Sequence, residues 1–515
     1  MAARLLTGAH MNMLLDGQHT LISDLLAEFP RSLRESDPAL MLVAAFHQLE
    51  QGSLVAAARL LALVDGSVGT IAADRRATFD VGRAVAGLLL ARRRGDFTDV
   101  VAHVEMLSRP DEPTHLVAAL SDELRALALM NLGIAEMWSL QLDDAELHLE
   151  EAAALARRIG RPYLEVGCLA HLGFAAHAHS FARARQRGRE AIALAEEHGW
   201  GATTVIAQAL TAVGGGLLWS AELDESAHLL ERASTLLRAD GEPATSLLWH
   251  LARGNLHAAR AEWREALKQY RAAEQSQTLL VTAHGLGAQV CSFRIAMQIK
   301  LGQMAEAASA IAEIEADPAP WAELRVALGL FRHAQGDWQG ALDAVEPAVN
   351  DTLPKIYAFT TVQANMIEAV AWVELGDRPA SELAVERALA LAEADRLVFP
   401  FVIMPGHELL RRHPRHMTAH AALLQTIVDV LGGAAVASPD RPVAGPSEPL
   451  SASERRVLGY LPSNLTAVEI ADELVVSVNT VRTHMRHLYV KLGVHTRSEA
   501  VEIARRMGLL GRGPR

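Results

Sequence analysis

A pattern recurs along most of the chain at a period of about 40 residues, and it limits the fold more than any other feature. Each copy reads small residue or Gly, polar, large apolar, two variable residues, then Ala or Ser. The large position is Leu54, Phe97, Leu142, Phe181, Leu223, Trp263, Met304 and Trp338, with Arg378 in the last copy. The sixth position is Ala57, Val100, Ala145, Ala184, Ser226, Ala266, Ala307, Ala341 and Ser381. Successive copies are 43, 45, 39, 42, 40, 41, 34 and 40 residues apart. The flanking segments, such as Leu140 to Leu155, place apolar residues at i, i+3, i+4 and i+7, the spacing of one helical face. Each copy is therefore a helical hairpin. Its large residue starts the second helix and plugs the contact with the first, while the small residue three positions on lets the two backbones approach. One hairpin cannot bury both its faces, but nine stacked copies can, so the sequence predicts an all-α solenoid of helical hairpins with a concave groove over residues 1–431.

Composition agrees, with half the residues apolar and only 5% aromatic. All eight tryptophans, Trp138 to Trp372, fall inside the array and read as packing residues between repeats. Cys168 and Cys291 are too few for a disulfide framework and sit in apolar helical stretches, which points to a reducing, cytoplasmic compartment. No signal-like segment opens the chain and no apolar run is long enough to span a membrane, so no membrane partner is expected. None of the four lysines follows a glycine, which removes a Walker A loop. Gly214 to Gly216 lie inside a repeat helix and follow no strand, so they form no phosphate loop. His407, His413, His416 and His420 cluster, but Arg411, Arg412 and Arg415 among them would repel a dication, and they read as surface histidines. With no nucleophile elbow or similar motif, no catalytic residue, metal or cofactor is expected, and the chain does not read as an enzyme.

From Leu397 the repeat breaks at Pro400, Pro405 and Gly406, and a last helical stretch to about Leu431 caps the solenoid. Residues 432–449 hold four prolines and three glycines without apolar period, the composition of a flexible linker. The charge balance then reverses. Residues 450–515 carry ten basic and six acidic side chains, a net +4, whereas the whole chain is at −13, so the preceding residues hold −17. Positive charge is segregated at the C-terminal end.

Local signals set out four short helices there. Ser451 with Glu454, Thr466 with Glu469 and Thr496 with Glu499 have capping-box spacing, and Ser477 caps by its hydroxyl. Gly493 and Gly508 stand where the third and fourth helices would stop. Helix two ends near Leu474 and helix three begins near Val478, the short join of a helix-turn-helix. On the third helix Val478, Val481, Met485, Leu488 and Leu492 share one side, which packs on Val457, Leu458, Leu461, Ile470, Ala471 and Leu474. The other side carries Asn479, Arg482, Thr483, Arg486 and His487. From Val475 to Arg497 there are four basic residues, three histidines and no acid. A cationic helix face free of carboxylates suits the major groove of DNA, where Arg bonds guanine in a bidentate manner.

Residues 450–510 resemble the four-helix DNA-binding domain of the LuxR/GerE family. The matching residues are Glu454 with Val457 and Leu458, Glu469-Ile470-Ala471, Leu474, Thr480-Val481-Arg482 with His484, Lys491-Leu492-Gly493, and Arg497 with Glu499-Ala500-Val501. Ser453 and Arg456 depart from the usual Arg and Glu of the first helix, away from the recognition helix. The resemblance implies a fold of TPR-like solenoid followed by a LuxR-type helix-turn-helix domain at residues 450–511. It implies that Arg482, Thr483 and Arg486 read bases, and that Ser477, Asn479, Thr480, His484 and Lys491 contact phosphates or position the helix. The partners implied are double-stranded promoter DNA, a second copy paired through the fourth helix, and RNA polymerase. The helical array is similar to the C-terminal half of MalT-like regulators, which usually begin with an ATP-binding module. This chain starts where that module would end, so ATP-gated control is not carried over. The function expected is a sequence-specific transcription regulator whose repeat domain senses a small-molecule or protein effector in its groove. The alternative is a protein-interaction scaffold tethered to DNA. The opposed charges of −17 and +4 suggest control by shielding of the basic helix.

Overall fold

The computed structural model describes residues 2–108, 122–178, 180–237, 242–316, 321–415, 418–433, 450–461, 465–474, 476–492, 494 and 497–506. Two units form, Met1–Val436 and Ala437–Arg515. Of the predicted linker, residues 434–449 lie outside the described residues.

In the first unit, α1 (Ala2–Leu15), α2 (His19–Ala27) and α3 (Arg31–Ser36) precede nine hairpins among the described residues. The first three hairpins are α4 (Pro38–Glu50) with α5 (Leu54–Ser67), α6 (Ala73–Arg94) with α7 (Phe97–Ser108), and α8 (Asp122–Trp138) with α9 (Leu142–Arg158). Then come α10 (Pro162–Ala175) with α11 (Phe181–Glu197), α12 (Ala207–Trp219) with α13 (Leu223–Leu236), and α14 (Pro243–Ala259) with α15 (Trp263–Gln277). The last three are α16 (Gly287–Lys300) with α17 (Met304–Ala316), α18 (Ala322–Ala334) with α19 (Trp338–Val349), and α20 (Phe359–Glu374) with α21 (Arg378–Glu393). Every second helix begins on the position that the repeat marks as large and apolar. Among the described residues no helix is long and apolar enough to cross a membrane.

The first position of the pattern takes the left-handed conformation, which is why glycine recurs there. Gly52, Gly95, Gly302, Gly336 and Gly376 have φ of 78°, 68°, 71°, 76° and 89°, and Leu140, Ala221 and Ala261 take the same region at 62°, 61° and 59°. That conformation ends the preceding helix and turns the chain into the next, which glycine does without a Cβ penalty.

The plug assignment is corrected. Only Phe97 and Phe181 of the large residues are buried; six others are half-buried and Arg378 is exposed. The sixth position is the deep one, with all nine residues at 3% exposure or less. The large residue sits at the helix start, over the turn and beside solvent, whereas the small one lies a turn further in, against the partner helix. Ser226 donates its hydroxyl to the Gly214 carbonyl across such a contact, at 2.7 Å. A Cβ at Gly214 would stand 3.0 Å from Leu230, so this glycine run serves helix packing.

Two segments cross the predicted groove. The amides of Val281 and Thr282 donate to the carbonyls of Arg94 and Gly95, at 3.1 and 2.9 Å, and Gly285 donates to Trp138 at 2.8 Å. Val398 donates to Trp219 at 2.7 Å and leads into α22 (Phe399–Ile403), which packs on α12, α14 and α20. Trp219, Phe293, Phe359 and Phe399 form one aromatic cluster there, so chain and side chains fill this stretch of the groove. Trp138 and Trp219 are buried and the other six tryptophans are half-buried. Helices α23 (His407–Arg412) and α24 (Ala421–Leu431) follow, with α24 packed on α21 and α22. The surface reading of the histidines is corrected at His413, which is 9% exposed and bonded to Glu386 at 2.6 Å because α21 folds over it. His416 lies outside the described residues.

Candidate nucleic-acid interface

The second unit comprises α25 (Ala452–Tyr460), α26 (Ala467–Leu474), α27 (Val478–Leu492) and α28 (Arg497–Arg506). Capping fixes where they start. Ser451 and Glu454 exchange reciprocal bonds, 3.2 Å from the Glu454 amide to the hydroxyl and 2.7 Å from the Ser451 amide to the carboxylate. Thr466 and Glu469 do the same at 3.3 and 2.7 Å. The Ser477 hydroxyl accepts from the Thr480 amide at 3.1 Å and lies 2.7 Å from the Thr480 hydroxyl. Thr496, Gly493 and Gly508 lie outside the described residues.

The core joins Val457, Leu458, Leu461, Ile470, Ala471, Val481, Leu488 and Leu492. Val481, Leu488 and Leu492 thus seat one side of α27, while Val478 and Met485 are half-buried at its edge. Asn479, Arg482, Thr483, Arg486 and His487 are exposed on the other side. Ser477 is also exposed, and Thr480 and His484 are half-buried. The Thr483 hydroxyl donates to the Asn479 carbonyl at 2.8 Å, which uses its proton and leaves the oxygen able to accept. Neither Arg482 nor Arg486 forms an ion pair among the described residues. Val490, at 71% exposure, adds an outward apolar group that the sequence reading did not select.

The other two cations of this stretch are engaged within the unit. Lys491 donates to the Glu454 carboxylate at 3.0 Å. Burial would push the Glu454 carboxyl up, but the Ser451 amide, the Lys491 ammonium and the Ser451 hydroxyl outweigh it and hold the group below its ordinary value. Arg497 donates to three carbonyls at the end of α25 and before α26, Leu461 at 2.9 Å, Leu465 at 2.5 Å and Tyr460 at 3.1 Å. Its guanidinium fork therefore satisfies orphan carbonyls where a helix ends.

Residues 448–504 match the family described as bacterial regulatory proteins, luxR family. This unit is a LuxR-type helix-turn-helix domain. A stretch of 98 residues of the chain is 39% identical to the HTH-type transcriptional regulator MalT of Yersinia pestis (strain Pestoides F). Over 98 residues the chain is also 38% identical to MalT of Serratia proteamaculans (strain 568). Each alignment takes in 19% of this chain and 10% of the relative, so the match spans about a tenth of the curated relatives' length. Among solved structures, the Rap protein complexed with Competence and Sporulation Factor overlays 70% of this chain and 98% of its own at 12% identity, with a TM-score of 0.48. The apo quorum sensor NprR from B. thuringiensis overlays 68% and 97% at 13% identity, with a TM-score of 0.44.

Proposed function

We propose that the chain is a DNA-binding transcription regulator that reads a specific promoter site through α27 of its LuxR-type domain and answers to an effector or partner held by the repeat unit. The exposed, acid-free face of α27 carries this reading, because Arg482 and Arg486 stand outward on it with no carboxylate partner among the described residues. Arg482, Thr483 and Arg486 are assigned to base edges. Ser477, Asn479, Thr480 and His484 are assigned to phosphates around the start of the helix, where the amides and the dipole favour an anion. Lys491 is assigned to positioning, since its ammonium already ties α27 to Glu454 on α25. Pairing of two copies through α28 on a two-fold site, contact with RNA polymerase and a connecting linker at residues 432–449 complete the proposal.

The test is selection of bound sequences from random duplexes, followed by anisotropy titrations on the selected site from low to physiological salt. A specific site with a steep salt dependence is expected. Arg482→Ala and Arg486→Ala should each lose ~1–3 kcal/mol and relax the preference at one base position. A folded protein with no sequence preference, unaffected by either substitution, refutes the proposal.

A further inference from the structure

The first unit holds a half-open cavity of about 220 Å³ lined from α1, α2, α4, α5, α6, α8, α10, α12, α13 and α14. Leu15, Leu89, Leu127, Ile134 and Leu164 give it an apolar wall. A space of this size admits a small molecule and no folded partner.

Its polar side chains are largely occupied with one another. Arg92 Nη1 binds both Glu242 oxygens, at 2.9 and 3.0 Å, although the two residues are 150 positions apart. Arg93 binds Glu50 at 2.5 Å, and His19 Nε2 lies 3.1 Å from the Tyr163 hydroxyl. His171 bonds the Gly167 carbonyl through Nδ1 at 2.8 Å, and burial holds its pKa down to about 4, so the ring is neutral. Two arginines therefore cancel two glutamates. A charged ligand would have to break a buried ion pair, which costs more than it returns in a low-dielectric site. The ligand that fits is uncharged.

Gln208 on α12 is the exception. It lines the cavity, is 4% exposed, and neither Oε1 nor Nε2 has a hydrogen-bond partner among the described residues. A buried primary amide with both ends unmet is a costly arrangement, and among the described residues that line the cavity Gln208 is the one that has it. Arg92 Nε, also in the lining, is a buried N–H without a partner among the described residues, and this second unmet donor favours a ligand with a carbonyl oxygen.

We propose that this cavity is a small-molecule site whose recognition group is Gln208 and whose ligand is an uncharged aliphatic amide. The ligand carbonyl accepts from Nε2, its N–H donates to Oε1, and the chain lies along the leucine wall. The proposal rests on the effector-responsive reading above and supplies the chemistry of that effector.

Calorimetric titration of the full chain with octanamide tests it, with octanoate and N,N-dimethyloctanamide as comparisons of equal chain length. One octanamide should bind per chain. Octanoate should bind at least roughly tenfold more weakly, because it carries charge, and the dimethylamide several-fold more weakly, because it has no N–H. Gln208→Leu and Gln208→Met should each lose roughly tenfold in octanamide affinity and melt no lower than the parent, since each removes an unmet polar group. Absence of octanamide binding, equal binding of the dimethylamide, tighter binding of octanoate, or undiminished binding by both variants overturns the site. The wild-type ligand series decides the matter even if a variant misfolds. Promoter affinity with and without octanamide is a separate readout: binding in the cavity with no change on DNA leaves the Gln208 site standing and removes only its role as effector control.

Discussion

Four cations lie between Val475 and Arg497, and the structure divides them into two pairs that mutagenesis should separate. Arg497 fills three carbonyls within its own unit, at 2.9, 2.5 and 3.1 Å. Replacing it with alanine leaves those three acceptors to water or to nothing. At ~1 kcal/mol for each partly buried charge-assisted bond the loss is about 3 kcal/mol. A domain of this size commonly has only ~3–5 kcal/mol in total, so Arg497→Ala should bring the unit close to its unfolding threshold. Arg482→Ala removes an exposed side chain with no internal partner and should change stability by less than ~0.5 kcal/mol, while it weakens specific DNA binding by ~1–3 kcal/mol. Hydrogen exchange on the full chain reads the first effect. Peptides from α25 to α28 should exchange about a hundredfold faster in Arg497→Ala, and at the parent rate in Arg482→Ala. Lysine at 497 restores the charge without the fork and should rescue only part of the protection. Unchanged exchange in Arg497→Ala, or faster exchange in Arg482→Ala, refutes this division of structural from DNA-facing cations.

Three further outcomes follow from the repeats. Ala261 is exposed at φ 59°, so Ala261→Gly should stabilise by about 0.5–1 kcal/mol, whereas Gly302→Ala, at φ 71° with nothing near its added Cβ, should cost about 1 kcal/mol; urea midpoints of opposite sign check the pair. Gly188→Ala would drive a Cβ to 2.4 Å from Val213, and a loss of ~1–3 kcal/mol is expected in thermal melts. Burial lowers the pKa of His171, His177 and His284 to about 4, 3 and 3, below the ordinary 6.5, so the unfolded chain binds more protons than the folded one in that window. Their contribution is intact above pH ~6.5 and should be lost at up to ~1.4 kcal/mol per histidine per pH unit as the pH falls toward ~4; melts at pH 7 and pH 5, beside a His284→Asn variant with a flatter profile, measure it.

Much of the molecule was legible without coordinates wherever the signal is local. The start of every second helix, the Ser451 and Thr466 capping boxes and the exposed face of α27 all follow from residues within four positions of one another, since backbone geometry ties i to i+3 and i+4 whatever the remainder of the chain does. The glycine or other small residue that opens most repeats was visible as a pattern, but the left-handed φ that explains it was not. For the cavity, the only available hint was a glutamine set in the apolar run Ala207 to Val213.

Periodicity and capping in the sequence settled that the chain is all helical, that its hairpins recur about every 40 residues, and that one C-terminal helix turns arginines outward. Tertiary structure decided which groups meet across long separations. Glu454 takes Lys491 from 37 residues away, Arg92 takes Glu242 across 150, and residues 281–285 and 398 close part of a groove that the repeats by themselves would leave open. The partners in the first unit depend on the accumulated rotation of many stacked hairpins, a quantity that no short window of residues encodes. The same accumulation buries Gln208 against a leucine wall with its amide unmet.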